Sequence, residues 1–280
     1  DPEASLRPGE VDGDAVRKIK ERGKLIAGVD QNSFQWGFRN PESGDLEGFD
    51  IDLVRAIAKD ILGDGGKVIF RAIPTNQRIA ALENDKVDVV VRTMTINCAR
   101  LKQVSFSTAY FQAGQQVLAA KEDHSITGFN STLAGKRVCT AEGSTAYEAL
   151  EKESFGSVFK DKHDGTAADE DRLTVPQPAG LPGAAPARRG RRGRHRQRAG
   201  RGPGRAGPGR RAQGRPVHHR VLRRGHEEGG ANDLVARVNK VLVDYRAGGA
   251  DSLWMKSYRE WLEDGLPGGI GAPPAPKYRD

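Results

Sequence analysis

The chain has 280 residues, a net charge of +8, a sequence pI near 9.6 and two cysteines. Its length suits one large or two medium domains, no apolar run approaches the roughly 18 residues a membrane span needs, and two cysteines make no disulfide framework. The basic charge is local: residues 177–229 hold fifteen Arg against two Glu, so the rest sums to −5 and gives no reason to expect nucleic acid or an anionic membrane as partner.

Residues 1–22 are polar and read as a tether ending in a short helix. KLIAGVD (24–30) is an apolar run closing on Asp30, which predicts a buried strand. Turn formers follow, and residues 49–62 then place Ile51, Val54, Ile57, Ala58 and Ile61 on one helix face, stopped by Gly63, Gly65 and Gly66. VIFRAI (68–73) predicts a strand and 78–85 a helix. VDVVV (87–91) predicts a strand covered on both faces, so the opening is doubly wound α/β. QQVLAAK (115–121) and KRVCTA (136–141) read as strands, and 144–153 as a helix capped by Ser144 or Thr145. Apolar spacing predicts helices over 232–249 and 252–264, and the Pro/Gly-rich tail after 265 is irregular. The order fits two α/β lobes, and pattern alone does not say whether the last helices return to the first.

Residues 177–229 contain no Lys, Asp, Phe, Tyr or Trp, although ordinary globular sequence flanks them. Arg, Gly, Ala and Pro all have GC-rich codons, and out-of-frame reading of a GC-rich gene produces this composition. Back-translating and reading from the second base permits strings such as CLVLLQLGEV, DAVV and YYGVAM, none of them residues of this chain, with helix and strand patterns that join the flanks. The other reading is an Arg/Gly-rich RNA-binding segment on an α/β scaffold. As written, the stretch has too little apolar content to offset an ordering cost of roughly 1–2 kcal/mol per residue. It is expected to be irregular, and the first lobe to lose a returning strand.

Metal-ligand spacing, a nucleophile elbow and a phosphate loop are all missing from the sequence, and four of the six histidines fall within 177–229. GDGG (63–66) reads as a helix stop. RTMTINCAR (92–100) directly follows the β-branched run. Thr93 and Thr95 stand where backbone groups come free at a strand end, the usual ligand position in open α/β sheets. Arg100 lies about one helical turn further on, and a guanidinium beside a Thr hydroxyl and free amides suits a carboxylate.

LIAGVDQNSFQWGFRNPESGDLEGFDIDLVRAIA resembles the opening of the polar-amino-acid solute-binding proteins of ABC importers. NQRIAALENDKVDVVVRTMTINCARLKQVSFSTAYFQAG continues the resemblance through the first hinge, with FSTAYF where the family more usually has FSDPYY. LAGKRVCTAEGSTAYEAL resembles its second-lobe loop, and the C-terminal helices with the ending PAPKYRD are similar to the glutamate/glutamine-type members. The alternative-frame strings GEVDAVVTDN and YYGVAM also resemble this family. The resemblance implies a two-lobed, type II periplasmic-binding-protein-like fold whose second lobe is incomplete as written. Residues 1–22 are then a tether, 23–111 with 230–280 the first lobe, 112–176 the second, and 177–229 the frame-shifted segment.

By the same resemblance, Arg100 pairs with a ligand α-carboxylate, helped by Thr95, and the Thr93 carbonyl accepts from the α-ammonium. Phe34 and Trp36 pack on the ligand stem, Asp30 orients the pocket or reaches the amine, and Arg78 favours an acidic side chain. Gly143, Ser144 and Thr145 present amides and hydroxyls at a helix start. Where the family holds the ammonium with a second-lobe Asp, this chain has Arg196. The alternative frame places a cysteine at the register of Leu181, a partner for Cys139 in an oxidising compartment. The implied function is capture of glutamate, or aspartate or glutamine, for a membrane permease, by a monomer without cofactor, metal or specific nucleic acid. The implied location is extracytoplasmic, at the cell surface, with a lipid anchor on a residue preceding Asp1. An enzymatic reading, a dehydratase on the same fold, has only Glu142 as general acid.

Overall fold

The computed structural model describes residues 1–120, 122–160, 174–175, 221–223, 232–266 and 271–279. Helix α1 (Asp14–Arg22) turns Val16 and Ile19 inward and stops at Gly23. Strand β1 (Leu25–Val29) follows, and the loop after it folds back as a small antiparallel meander of β2 (Asn32–Ser33), β3 (Gly37–Arg39) and β4 (Leu46–Glu47). Helix α2 (Phe49–Leu62) buries Ile51, Leu53, Val54, Ile57, Ala58 and Ile61, so the periodic face becomes the core face. Gly63 ends it at φ 73°, a left-handed conformation that glycine adopts without a Cβ clash.

The main sheet is built from β1, β5 (Val68–Ala72), β6 (Val89–Val90), β7 (Val104–Phe106) and a late strand, β10 (Val221–Arg223), in the order β5-β1-β6-β10-β7. β1 pairs in parallel with β5 and β6, whereas β10 runs antiparallel to β6 and β7. The β-branched run divides its side chains between two cores, as the expectation of cover on both faces requires. Val89 and Val91 join α1, α2 and the C-terminal helices; Val90 joins Leu82, Met94, Ile96, Val104 and Phe106 on the other face, with α3 (Arg78–Glu83) over it. A short helix, α4 (Cys98–Leu101), leads into β7.

Lobe 1 does not lose its returning strand, which corrects the expectation of an irregular 177–229 at Val221–Arg223. Ladder hydrogen bonds are made by backbone groups. A Val-Leu pair between β6 and β7 therefore completes the sheet, whatever composition surrounds it. The strand falls at the register of the first letters of the alternative-frame string YYGVAM. The remainder of that segment, Arg196 and the register of Leu181 included, lies outside the described residues.

Helices α6 (Asn232–Arg246) and α7 (Leu253–Trp261) pack in the same core as α1, β1 and α2. Trp254 is fully buried, stacks on Tyr258 at 5.2 Å and on Phe111 at 5.7 Å, and donates from Nε1 to the Tyr110 carbonyl at 2.7 Å. This fixes the chain where it leaves lobe 1. The first residues are not a free tether: Ser5 bridges to Tyr278, and its Oγ donates to the Phe106 carbonyl at 2.6 Å. Asn239 holds the same place, donating to Ser5 Oγ and the Leu6 carbonyl and accepting from Thr108 N.

In the second lobe, β8 (Thr140–Ala141) pairs in parallel with β9 (Thr174–Val175), and α5 (Thr145–Lys152) follows β8. The strand expected over 136–141 is shorter than its apolar pattern, with a single further bridge from Arg137 to Val158. Residues 115–120 are not a strand, contrary to expectation, because no described segment pairs with them; residue 121 lies outside the described set.

Candidate functional site

Asp30 follows directly on β1 and is 2% exposed. Its Oδ1 accepts from the Gln31 and Asn32 amides at 2.8 and 3.1 Å, and its Oδ2 accepts from Ser33 Oγ at 2.7 Å and Arg92 Nη2 at 2.6 Å. Asp30 is thus the organiser of the loop after β1. Arg92, 1% exposed, also donates to Thr75 Oγ1 at 3.1 Å and to the Ile73 carbonyl, and so ties the ends of β1, β5 and β6 together. Burial holds the Arg92 guanidinium below its usual range, with Asp30 pulling it back up.

Two further arginines reach across to the second lobe. Arg78 donates from Nε to the Thr75 carbonyl at 2.7 Å, from Nη1 to the Thr93 carbonyl at 3.0 Å and from Nη2 to the Gly143 carbonyl at 2.9 Å. Arg100 donates from Nη1 to the Thr95 carbonyl at 2.8 Å, and from Nη2 to the same Gly143 carbonyl at 3.1 Å and to Glu148 Oε1 at 3.2 Å. Asn97 accepts from the Arg100 amide at 2.9 Å and starts α4, which aims this side chain. Burial, then the neighbouring Arg92 and Arg100 cations, hold Arg78 well below its usual range. Burial also lowers Arg100, opposed by Glu148. Three guanidiniums thus lie close together, Arg92 facing Asp30 and Asp50, and Arg78 and Arg100 facing Glu148.

Gly143 needs to be glycine. Its φ is +71°, and a Cβ there would stand 3.2 Å from Asn76 Cα of the facing lobe. Ser144 caps α5, its Oγ accepting from Tyr147 N at 3.1 Å. Thr145 Oγ1 lies 3.4 Å from Thr95 Oγ1 and accepts from Gln115 Nε2 at 2.5 Å. Asn76 Nδ2 donates to Glu142 Oε2 at 2.8 Å.

The two aromatic candidates separate. Phe34 is 71% exposed, its ring edge-to-face with Phe38 at 5.2 Å. Trp36 packs into the core, edge-to-face with Phe111 at 4.7 Å and with Phe49 at 5.8 Å. Asp30, Arg78, Thr93, Thr95, Arg100, Gly143 and Thr145 thus converge, Ser144 adjoins them as the cap, and Trp36 stands behind them.

Sequence reasoning passed over Arg92, Asn76, Gln115 and Glu148. A signal existed for Arg92: a cation directly after a buried β-branched run needs a buried partner. For the other three, nothing local distinguishes them from solvated surface residues.

Residues 25–264 match the family described as bacterial extracellular solute-binding proteins, family 3. The chain belongs to that family. The solute-binding protein is 43% identical over 137 residues to a glutamine-binding protein of Geobacillus stearothermophilus, covering 49% of this chain and 52% of the relative. It is 40% identical over 148 residues to the glutamine-binding protein GlnH of Bacillus subtilis, covering 52% and 54%. It therefore spans about half the length of the curated relatives it matches. A crystal structure of a cysteine-binding protein from Campylobacter jejuni superposes with a TM-score of 0.68 at 19% identity, over 90% of this chain and 94% of that one. The fold is accordingly a two-lobed, type II periplasmic-binding-protein fold, and these relatives are binding proteins, not enzymes. No helix among the described residues is long and apolar enough to cross a membrane.

Proposed function

We propose that the protein captures an acidic or amide amino acid, of glutamate or glutamine size, by closing two lobes, and presents it to the permease of an ABC importer. The observation that carries this reading is the meeting of Arg78 and Arg100, from lobe 1, with the Gly143 carbonyl at the head of α5 in lobe 2. Arg100 forks the α-carboxylate with help from Thr95 Oγ1, because a planar guanidinium matches both oxygens. The Thr93 carbonyl accepts from the α-ammonium with the lone pair that Arg78 leaves free. Arg78 faces the ligand side chain, and Gly143, Ser144 and Thr145 close from above. Phe34, exposed on the loop that Asp30 organises, covers the ligand stem, and Trp36 supports that loop from the core. Desolvation on closure strengthens each contact, and no bond is made or broken. The glutamine-binding relatives favour the amide ligand. The protein acts as a monomer outside the cytoplasm, held at the membrane by a lipid anchor.

The test is calorimetry against the common amino acids, with the chain as written beside one carrying residues 177–229 in the alternative frame. The alternative-frame protein binds glutamine, glutamate or aspartate reversibly and without turnover; no heat with any of them refutes the reading. The nucleotide sequence tests the frame itself, which requires two compensating indels near codons 176 and 230.

A further inference from the structure

Glu148 stands in the first turn of α5, four residues after the Ser144 cap, and its side chain is 52% exposed. A first-turn Glu stabilises its own helix through the macrodipole, and that role requires no contact outside the lobe. Here the side chain leaves its lobe: Oε1 accepts from Arg100 Nη2 at 3.2 Å. Arg100 is 7% exposed, and its other acceptors are the Thr95 and Gly143 carbonyls. Among the described residues, Glu148 is thus the carboxylate on the guanidinium.

We propose that Glu148 is an internal competitor for the ligand carboxylate: it occupies Arg100 in the unliganded protein, holds the lobes together there, and lowers amino-acid affinity. The inference rests on Arg100 being the carboxylate receptor of the proposed function. Its physical basis is asymmetric burial. A desolvated guanidinium without an anion is costly, so Arg100 gains from a counter-ion while the cleft holds no ligand. Glu148 is half in water already, so a ligand carboxylate displaces it at little cost in solvation. The contact therefore shields the cation without blocking it, and sets how strongly a ligand must bind to displace it.

Glu148→Gln keeps the side-chain shape and an acceptor oxygen but removes the charge. The first measurement is made on the full chain as written, without ligand. Spin labels at Lys59→Cys in lobe 1 and Lys152→Cys in lobe 2, with Cys98→Ser and Cys139→Ser, report the distance between the lobes. The short-distance population relative to the long is expected to fall about two- to five-fold in Glu148→Gln, the range for a partly exposed ion pair, and raised salt should reproduce the effect in the parent. An unchanged distance distribution overturns the proposal. A change in melting temperature alone, with the distances unmoved, assigns Glu148 to helix α5 and also overturns it. The second measurement is ligand affinity in the alternative-frame protein, expected to rise about two- to five-fold in the variant by the same reasoning. A fall in affinity makes Glu148 a ligand contact and refutes competition. Absence of amino-acid binding in the parent itself removes the proposed function and the competitor role, whereas the distance measurement still decides whether Glu148 latches the lobes.

Discussion

Arg92→Met tests whether the buried Arg92–Asp30 pair holds the ends of β1, β5 and β6 together. The two side chains are 1% and 2% exposed and meet at 2.6 Å. Removing one partner of a buried pair typically costs about 3–5 kcal/mol, because the other charge stays buried. Two features place this site at the low end. Asp30 keeps hydrogen bonds from the Gln31 and Asn32 amides and Ser33 Oγ. Loss of Arg92 also relieves its repulsion of Arg78. The expected cost is therefore about 3 kcal/mol. With a urea slope of about 1–3 kcal/mol/M, the unfolding midpoint falls by roughly 1–3 M. Asp30→Asn combined with Arg92→Met removes both charges and should recover a large part of the loss, since replacing a buried pair by neutral groups is often close to neutral. Urea unfolding of the parent, the single variant and the double variant measures both effects. A single-variant loss under about 0.5 kcal/mol, the size of an ordinary surface change, or a double variant no more stable than the single, refutes the argument.

Arg100→Lys in the alternative-frame protein should weaken amino-acid binding by about 2–3 kcal/mol, because an ammonium cannot replace the fork, while the melting temperature changes little; calorimetry paired with a thermal scan checks both. Trp254→Ala should destabilise lobe 1 by about 3–5 kcal/mol, measured by denaturant unfolding, since it empties a site that is 0% exposed and removes the indole donor to the Tyr110 carbonyl. Asp60 tests the acid limb of stability: burial raises its pKa, but hydrogen bonds and charge from Arg237 and Lys240 outweigh this and hold it below the usual carboxylate range. Because the folded value lies below the unfolded one, near 3.9, the stabilisation is full well above that pH and is lost as pH falls through the folded value. The stability advantage of the parent over Asp60→Asn should therefore persist above about pH 5 and shrink below about pH 4; an advantage that does not vary with pH across this window counts against the pairing.

The elements that depend on local pattern were legible in the sequence. Helix α2 has the predicted bounds, 49–62, because its apolar spacing and the glycine after it act within one element. The run Val87–Val91 supplied its own two-sided burial through the alternation of a strand. A cap at Ser144 or Thr145 was legible for a similar reason, and the structure selects Ser144, whose hydroxyl and the amide it serves are three residues apart. Pairing was not legible. Residues 115–120 carry a strand pattern but pair with no described strand, whereas Val221–Arg223 lie in a segment of unsuitable composition and still complete a sheet. Resemblance placed Arg100 and Gly143 in one site, but only the tertiary structure sets Arg78 and Arg100 on a single carbonyl, 65 and 43 residues away along the chain, and puts Glu148 on Arg100. A sequence states which groups need partners, because burial and charge follow from residue type and local period. Which groups supply them depends on how distant segments close on one another, and only the folded chain fixes that.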